Sequence, residues 1–326
     1  MSELQRAEEL AQRVLPDRRA KKRMLVIVNP YATTVSDRLK NLVVYALQGR
    51  YDVEAIDTKA RNHATEVSRE AAEAGYDVVV AFGGDGTVNE AANGLAGSDT
   101  PLTCLPGGST NVYCRTLGIP NDVVDATEHL LRMADDFRPR RVDTGLVNGR
   151  HFVFASGVGL DASVVQRVDA HPRRKARFGE YYFTYSAVAS YNRQYLLHPP
   201  KVRLEADGQS AEAVTVIVQN SDPYTYFGNR PIRICEGAGL DTGTLALTAL
   251  RRATLIDMPT LIGRIFSSSA RTLQRHRQVS GLGTVTGASV TAVNGRPFPL
   301  EVDGDFVGEF GRVDYGIAPR SLAVVA

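Results

Sequence analysis

Gly83-Gly84-Asp85-Gly86-Thr87 is the stretch that decides how this chain is read. It is reached from the apolar run Asp77-Val78-Val79-Val80-Ala81-Phe82 and leads into Val88-Asn89-Glu90-Ala91-Ala92-Asn93, which has helix character. Strand, glycine turn and helix together make a phosphate-binding arrangement. Glycines let the backbone take positive φ and come close to a ligand, and a helix start offers unpaired N–H groups and partial positive charge to an anion. A nucleotide is the natural candidate, and a tight packing corner is the plainer reading of three glycines alone. The string is not a Walker A loop, because no Gly-Lys-Ser/Thr follows, and it is not the Gly-x-Gly-x-x-Gly dinucleotide fingerprint. What remains is a loop that holds phosphate through backbone groups and a threonine hydroxyl.

Around this loop the pattern is regular. Apolar runs at 24–28, 51–56, 77–82 and 101–105 alternate with helix-like segments at 37–48, 63–74, 87–95 and 110–117. Short strands alternating with amphipathic helices predict a parallel sheet with helices on both faces, the α/β nucleotide-binding class, whose ligands lie at the carboxyl ends of the strands. Asn29-Pro30, Asp57-Thr58, the glycine loop and Pro106-Gly107-Gly108-Ser109-Thr110-Asn111 all fall at such ends. After a further helix over 122–135 the pattern changes at Arg138-Pro139-Arg140-Arg141, and strand-like runs at 142–147, 151–157, 201–206, 213–220, 231–235, 244–250 and 284–293 predict a second, antiparallel β-sandwich domain. The expected division is a basic leader over 1–22, a nucleotide-binding domain over 23–140 and the sandwich over 141–326, its end returning to the first domain.

Composition narrows the function. A chain of 326 residues, 43% hydrophobic and 23% charged, is an ordinary globular balance, and a net charge of +2 gives no reason to expect nucleic acid. No apolar stretch approaches the roughly 18 residues of a membrane span, and the first 23 residues lack the apolar core of a secretory signal. Three scattered cysteines and six dispersed histidines suggest neither a disulfide framework nor a zinc site, so a cytoplasmic compartment is expected. Two basic runs, 18–23 and 173–177, the second followed by seven aromatics between Phe178 and Tyr195, suit an anionic membrane surface. A solvated helix for the first and a helix packed on the sandwich for the second are the plainer alternatives.

Read as GGDGTVNE, residues 83–90 resemble the signature of the diacylglycerol kinase catalytic family, which includes bacterial lipid kinases and sphingosine kinases; NAD kinases and phosphofructokinases share a related GGDGT loop. The resemblance runs from about Met24 to the C-terminus. It implies ATP with its phosphates on Gly83, Gly84, Asp85, Gly86, Thr87, Val88 and Asn89, with Thr58 and Ser109 nearby and Mg²⁺ on the phosphate oxygens. Gly108-Ser109-Thr110-Asn111-Val112 stands where the family has Gly-Thr-x-Asn-Asp, so a serine replaces the threonine and a carboxylate is lost at Val112. Asp241-Thr242-Gly243 stands where the family has Asp-Asp-Gly, a segment holding a structural Mg²⁺; Asp241 is the candidate ligand, and a hairpin turn without metal is the plain reading. Asp303-Gly304-Asp305 matches an Asp-Gly-Glu string, which makes Asp303 the expected general base and Asp305 its companion.

The implied activity is transfer of the γ-phosphate of ATP to the hydroxyl of diacylglycerol, by a peripheral enzyme on the inner face of the cell membrane, with lipid as its partner. A sphingoid-like acceptor, NAD kinase, and a non-catalytic nucleotide- or lipid-binding protein are the alternatives. Oligomeric state is not legible.

Overall fold

A computed structural model describes residues 21–160, 162–163, 201–267, 269–293 and 295–326. The aromatic segment 178–195 and the basic run 173–177 lie outside the described residues, as does most of the leader.

The first half alternates as its sequence predicts. Strands β1 (Lys22–Val28), β2 (Tyr51–Asp57), β3 (Val78–Gly83) and β4 (Leu102–Pro106) pair in parallel in the order β2-β1-β3-β4. β3 is buried at every position, which is why it reads as an unbroken apolar run rather than an alternating one. Helices α1 (Asp37–Leu47), α2 (His63–Glu73), α3 (Asp85–Leu95), α4 (Val112–Thr116) and α5 (Val123–Met133) fill the connections. Two starts follow from cap chemistry: Ser36 Oγ accepts from Leu39 N at 3.2 Å, and Asp122 Oδ1 accepts from Val124 N at 2.8 Å. Because β2 lies on one side of β1 and β3 on the other, the chain leaves a crevice at the carboxyl ends between β1 and β3.

The second half is antiparallel. β7 (Ala155–Gly159), β10 (Thr215–Gln219), β13 (Leu245–Leu250), β14 (Val279–Val285), β16 (Phe298–Val302) and β17 (Asp305–Phe310) form one sheet in the order β14-β13-β10-β7-β16-β17. The facing strands do not make a separate sheet. The long last strand β18 (Arg312–Val324) pairs with β5 (Arg140–Val147) and β15 (Gly287–Ala292), and Val324 lies parallel beside Leu102 of β4. β6 (Arg150–Phe152), β8 (Val202–Ala206) and β9 (Gln209–Ala213) complete a continuous ten-stranded sheet. β8 alternates buried and exposed, as expected of a strand with one solvated face.

Three departures from the sequence reading bear on the site. The run 151–157 is two strands, β6 and β7, because the chain breaks at Val153 and Phe154, whose N–H groups leave the ladder. The run 284–293 is split between β14 and β15, which belong to different sheets. Helices α6 (Met258–Ile265) and α7 (Ala270–Gln274) occupy a stretch where no helix was expected, and a small hairpin, β11 (Thr225–Phe227) with β12 (Arg230–Ile232), stands nearby. Two main apolar clusters result: one inside the α/β half, which also takes Leu322 and Val324 of β18, and one between the sheets of the sandwich.

Candidate active site

A cleft of about 620 Å³ opens at the carboxyl ends of the parallel strands. Its walls are the turn after β3, the turn after β4, Thr58 after β2, Tyr224 and Thr225 of the sandwich, and the Glu301–Asp305 segment. The glycine turn and the Asp-Gly-Asp segment, more than 200 residues apart, therefore share one site.

The glycines are required by close packing rather than by φ. Gly84 is the residue before α3, with φ −85° and ψ −176°, a conformation open to any residue. A Cβ on Gly107 would stand 2.8 Å from the Cα of Gly83, and one on Gly108 would stand 2.9 Å from the Cα of Gly84. Gly107 N also donates to Gly83 O at 2.8 Å. The two glycine turns are thus pressed backbone to backbone, which side chains would prevent. A Cβ on Gly86 would meet Asp305 Oδ2 at 2.3 Å, so Asp305 lies directly on the glycine turn.

The polar residues of the glycine motif mostly hold its surroundings. Asp85 accepts from Val112 N and Tyr113 N, at 3.0 and 3.1 Å, capping α4 with a half-buried carboxylate. Burial pushes its pKa up to about 6 against those two hydrogen bonds, with the charges of Asp303 and Asp305 adding to the rise. Glu90 accepts from Asn62 N and Ala64 N, at 2.8 and 3.2 Å, at the start of α2. Asn29 Nδ2 donates to Thr87 Oγ1 at 3.2 Å. Asn89 is fully buried and donates to Asp303 Oδ2 at 2.7 Å, while Arg150 donates to Asn89 Oδ1 at 2.6 Å.

Asp303 is 1% exposed and its two oxygens are occupied on both sides. Oδ1 accepts from Phe154 N and Ala155 N at 2.9 and 3.1 Å; Oδ2 accepts from Val153 N and Asn89 Nδ2 at 2.8 and 2.7 Å. The break between β6 and β7 exists to aim these three N–H groups at the carboxylate. Burial raises the pKa of Asp303 to about 6, opposed by the same four hydrogen bonds. Asp303 itself has φ 49°, a left-handed conformation that an Asp tolerates in a turn. Four protein donors thus occupy this carboxylate, which also borders the cleft. Asp305, two residues on, is half-buried and lines the cleft.

Of the expected nucleotide residues, Thr58, Gly84, Asp85, Gly86, Thr87 and Ser109 line the cleft, whereas Gly83, Val88 and Asn89 lie behind its wall. Tyr31, Arg61 and Glu301 line it without having been singled out. Arg61, an exposed cation three residues past Thr58, carried a readable signal: a positive charge just after a strand end, where an anionic ligand binds.

Asp241 is exposed, and its loop is closed by other means. Gly243 N donates to the buried Asp143 at 2.6 Å, and the Thr242 hydroxyl lies 3.1 Å from the carbonyl oxygens of Gly239 and Thr244. Among the described residues no group of three or more His, Cys, Asp or Glu side chains is arranged to hold a metal ion. The segment has the hydrogen bonding of a plain turn and does not fit the structural Mg²⁺ of the family.

Comparison with known proteins accords with this architecture. Residues 23–146 match the diacylglycerol kinase catalytic domain, and residues 155–326 match the YegS C-terminal NAD kinase beta sandwich-like domain. The diacylglycerol kinase of Bacillus subtilis strain 168 is 28% identical over 245 residues, 72% of this chain and 76% of its own. That of Staphylococcus epidermidis RP62A is 25% identical over 297 residues, 89% of this chain and 87% of its own. A crystal structure from Bacillus anthracis strain Sterne superposes with a TM-score of 0.72 at 24% identity, covering 95% of this chain and 97% of that one. With both halves matched in order, the chain belongs to the diacylglycerol kinase family of lipid kinases, ATP-using enzymes that transfer a phosphoryl group to an alcohol.

Proposed function

We propose that this enzyme phosphorylates diacylglycerol to phosphatidic acid, with ATP across the carboxyl ends of the parallel strands and the lipid hydroxyl entering from the Asp305 side. The observation that carries this is the meeting of Asp305 with Gly86: the carboxylate lies against the turn whose backbone would hold the terminal phosphates. The names of the Bacillus and Staphylococcus relatives support the acceptor.

Phosphoryl transfer needs alignment and charge stabilisation more than covalent help. The hydroxyl oxygen of the acceptor forms a bond to the γ-phosphorus, the bond from that phosphorus to the bridging oxygen breaks, and ADP departs. The hydroxyl proton passes to Asp305. Asp303 is a positioning residue in this scheme, fastening α3 through Asn89 to the strand break that carries Phe154 of the cleft wall.

Among the described residues the cleft carries five carboxylates and one arginine, a poor host for a bare triphosphate. A divalent cation carried in by the phosphates fits that excess of negative charge, with Glu301 the wall residue that would hold it. Bound there, Mg²⁺ would neutralise charge on the phosphate oxygens.

The test is ATP turnover against a panel of lipids in mixed micelles, with products identified by mass spectrometry. Phosphatidic acid from diacylglycerol is the expected result. Phosphorylation of sphingoid bases alone, formation of NADP⁺ from NAD⁺, or no lipid-dependent turnover would overturn the proposal.

A further inference from the structure

The strand that borders the cleft leads to a surface that the catalytic reading leaves unused. Tyr224 and Thr225 line the cleft, and two residues later Phe227 is 40% exposed and packs edge-to-face on Phe266 at the end of α6, ring centroids 5.4 Å apart. Arg115 of α4 ties this hairpin to the first domain, with its guanidinium 3.4 Å from the Tyr226 ring centroid and a hydrogen bond to Gly228 O at 2.9 Å.

Two faces of the α6 region differ. Leu261, Met258 and Ile265 pack inward against the sandwich. Outward stand Leu255 and Ile256, 61% and 82% exposed, then Pro259, then Ile262 at 45% and Gly263, an apolar stripe at helical spacing. Apolar side chains this exposed and this ordered mark an interaction surface.

The charge around the stripe says what it meets. Residues 251–278 contain six arginines and one acid, Asp257. Arg277 is paired with Asp257 and Arg271 with Glu236. Arg264 donates to Thr272 O at 3.0 Å and Arg275 lies within electrostatic reach of Glu236, whereas Arg251 and Arg252 make no ion pair among the described residues. An apolar stripe rimmed by arginine is the composition of a segment lying in the headgroup zone of an anionic bilayer, with apolar side chains in the acyl boundary and guanidinium groups among phosphates.

We infer that the Arg251–Phe266 segment, with Phe227, is the surface by which this kinase docks on an anionic phospholipid bilayer, setting the cleft mouth at Tyr224 and Thr225 beside the membrane. The inference rests on the lipid-kinase reading but is tested independently of it. A protein partner or a second copy would cover the apolar stripe but gives no role to the excess of arginine around it, above all Arg251 and Arg252.

The experiment uses the full chain and two exposed double variants, Ile256→Asp with Ile262→Asp and Arg251→Glu with Arg252→Glu. Each is sedimented with phosphatidylcholine vesicles and with phosphatidylcholine–phosphatidylglycerol vesicles, and each is assayed on a short-chain, water-dispersed diacylglycerol. The wild type should partition to the anionic vesicles, less so as salt is raised. Each arginine is worth about fivefold in partition near such a surface, so either double variant should lose about tenfold or more while keeping its turnover of the dispersed substrate and its melting temperature. Unchanged vesicle partition in both variants would overturn the inference. So would a lipid-free dimer, seen by light scattering, that Ile256→Asp with Ile262→Asp dissolves. If no dispersed diacylglycerol is phosphorylated by the wild type, the substrate reading fails while the vesicle arms still decide the docking surface.

Discussion

At the scale of single residues, the two acids of the Asp-Gly-Asp segment differ in their surroundings, and the proposed roles of each can be tested separately. Asn at 303 would turn an amide N–H₂ toward donors that need an acceptor, and one lost buried hydrogen bond leaves an unsatisfied group costing about 1–3 kcal/mol. Asp303→Asn should therefore lower the melting temperature together with turnover. Asp305→Asn, half-buried at the cleft, should melt like wild type and lose about 10²–10⁴-fold in kcat. Turnover and thermal midpoint measured on the same preparations separate the two, and a stable Asp303→Asn enzyme with near-normal melting would refute the fastening role. The same residues set a pH dependence. Asp85 and Asp303 have folded-state pKa values raised to about 6, above an unfolded value of about 3.9. Their contribution to stability is thus complete below about pH 3.9 and is lost as pH rises through about 6. Activity runs the other way, since protonating Asp303 removes an acceptor from four donors. The kcat profile should fall on the acid side with an apparent midpoint near pH 6, while these two groups add stability over the same interval. An acid limb near pH 4 would exclude them.

Among elements, the glycine motif works as a junction of caps. Glu90 serves two N–H groups at the start of α2, whose residue before the first turn, Asn62, gives no side-chain cap of its own. Glu90→Ala should cost about 1–2 kcal/mol by denaturant unfolding, the usual magnitude of a lost cap, with most of the nucleotide affinity retained. Equal stability would mean that α2 holds its start by packing alone. The paired glycine turns give a sharper contrast. Gly84→Ala brings its Cβ to 3.5 Å from Gly108, an ordinary contact, whereas Gly108→Ala brings its own to 2.9 Å from the Cα of Gly84. The second should be destabilising by about 1–3 kcal/mol through overpacking, and the first should leave the fold intact. Thermal midpoints of the two variants, compared side by side, check this.

For the whole molecule, β18 makes the two halves one cooperative unit. It hydrogen-bonds β5 and β15 and then passes beside β4, burying Leu322 and Val324 in the core of the α/β half. Asp303 and Asn89 add a second link across the same boundary. Calorimetry should show a single transition whose calorimetric and van't Hoff enthalpies agree. Two resolved transitions would mean that the halves unfold separately. The docking surface belongs to this scale too, since Arg115 of the first half anchors the hairpin that leads to it.

Local and periodic features were legible in the residues alone: the alternation of strands and helices through residue 135, the antiparallel second half, and the family through GGDGTVNE. Each depends on residues within a few positions of one another, where spacing maps directly onto backbone geometry. The sequence did not reveal α6 and α7, because Gly263, Pro259 and three serines weaken the helical pattern and packing on the sandwich supplies the rest. Nor did it tell which acid is fastened by buried donors. Asp303 and Asp305 are chemically alike and two residues apart; what divides them is a strand break at Val153 and an asparagine 214 residues upstream of Asp303. Burial and hydrogen bonding of a carboxylate are set by groups brought in from distant parts of the chain, so it takes the packed fold to fasten Asp303 with four donors and leave Asp305 half-buried at the cleft.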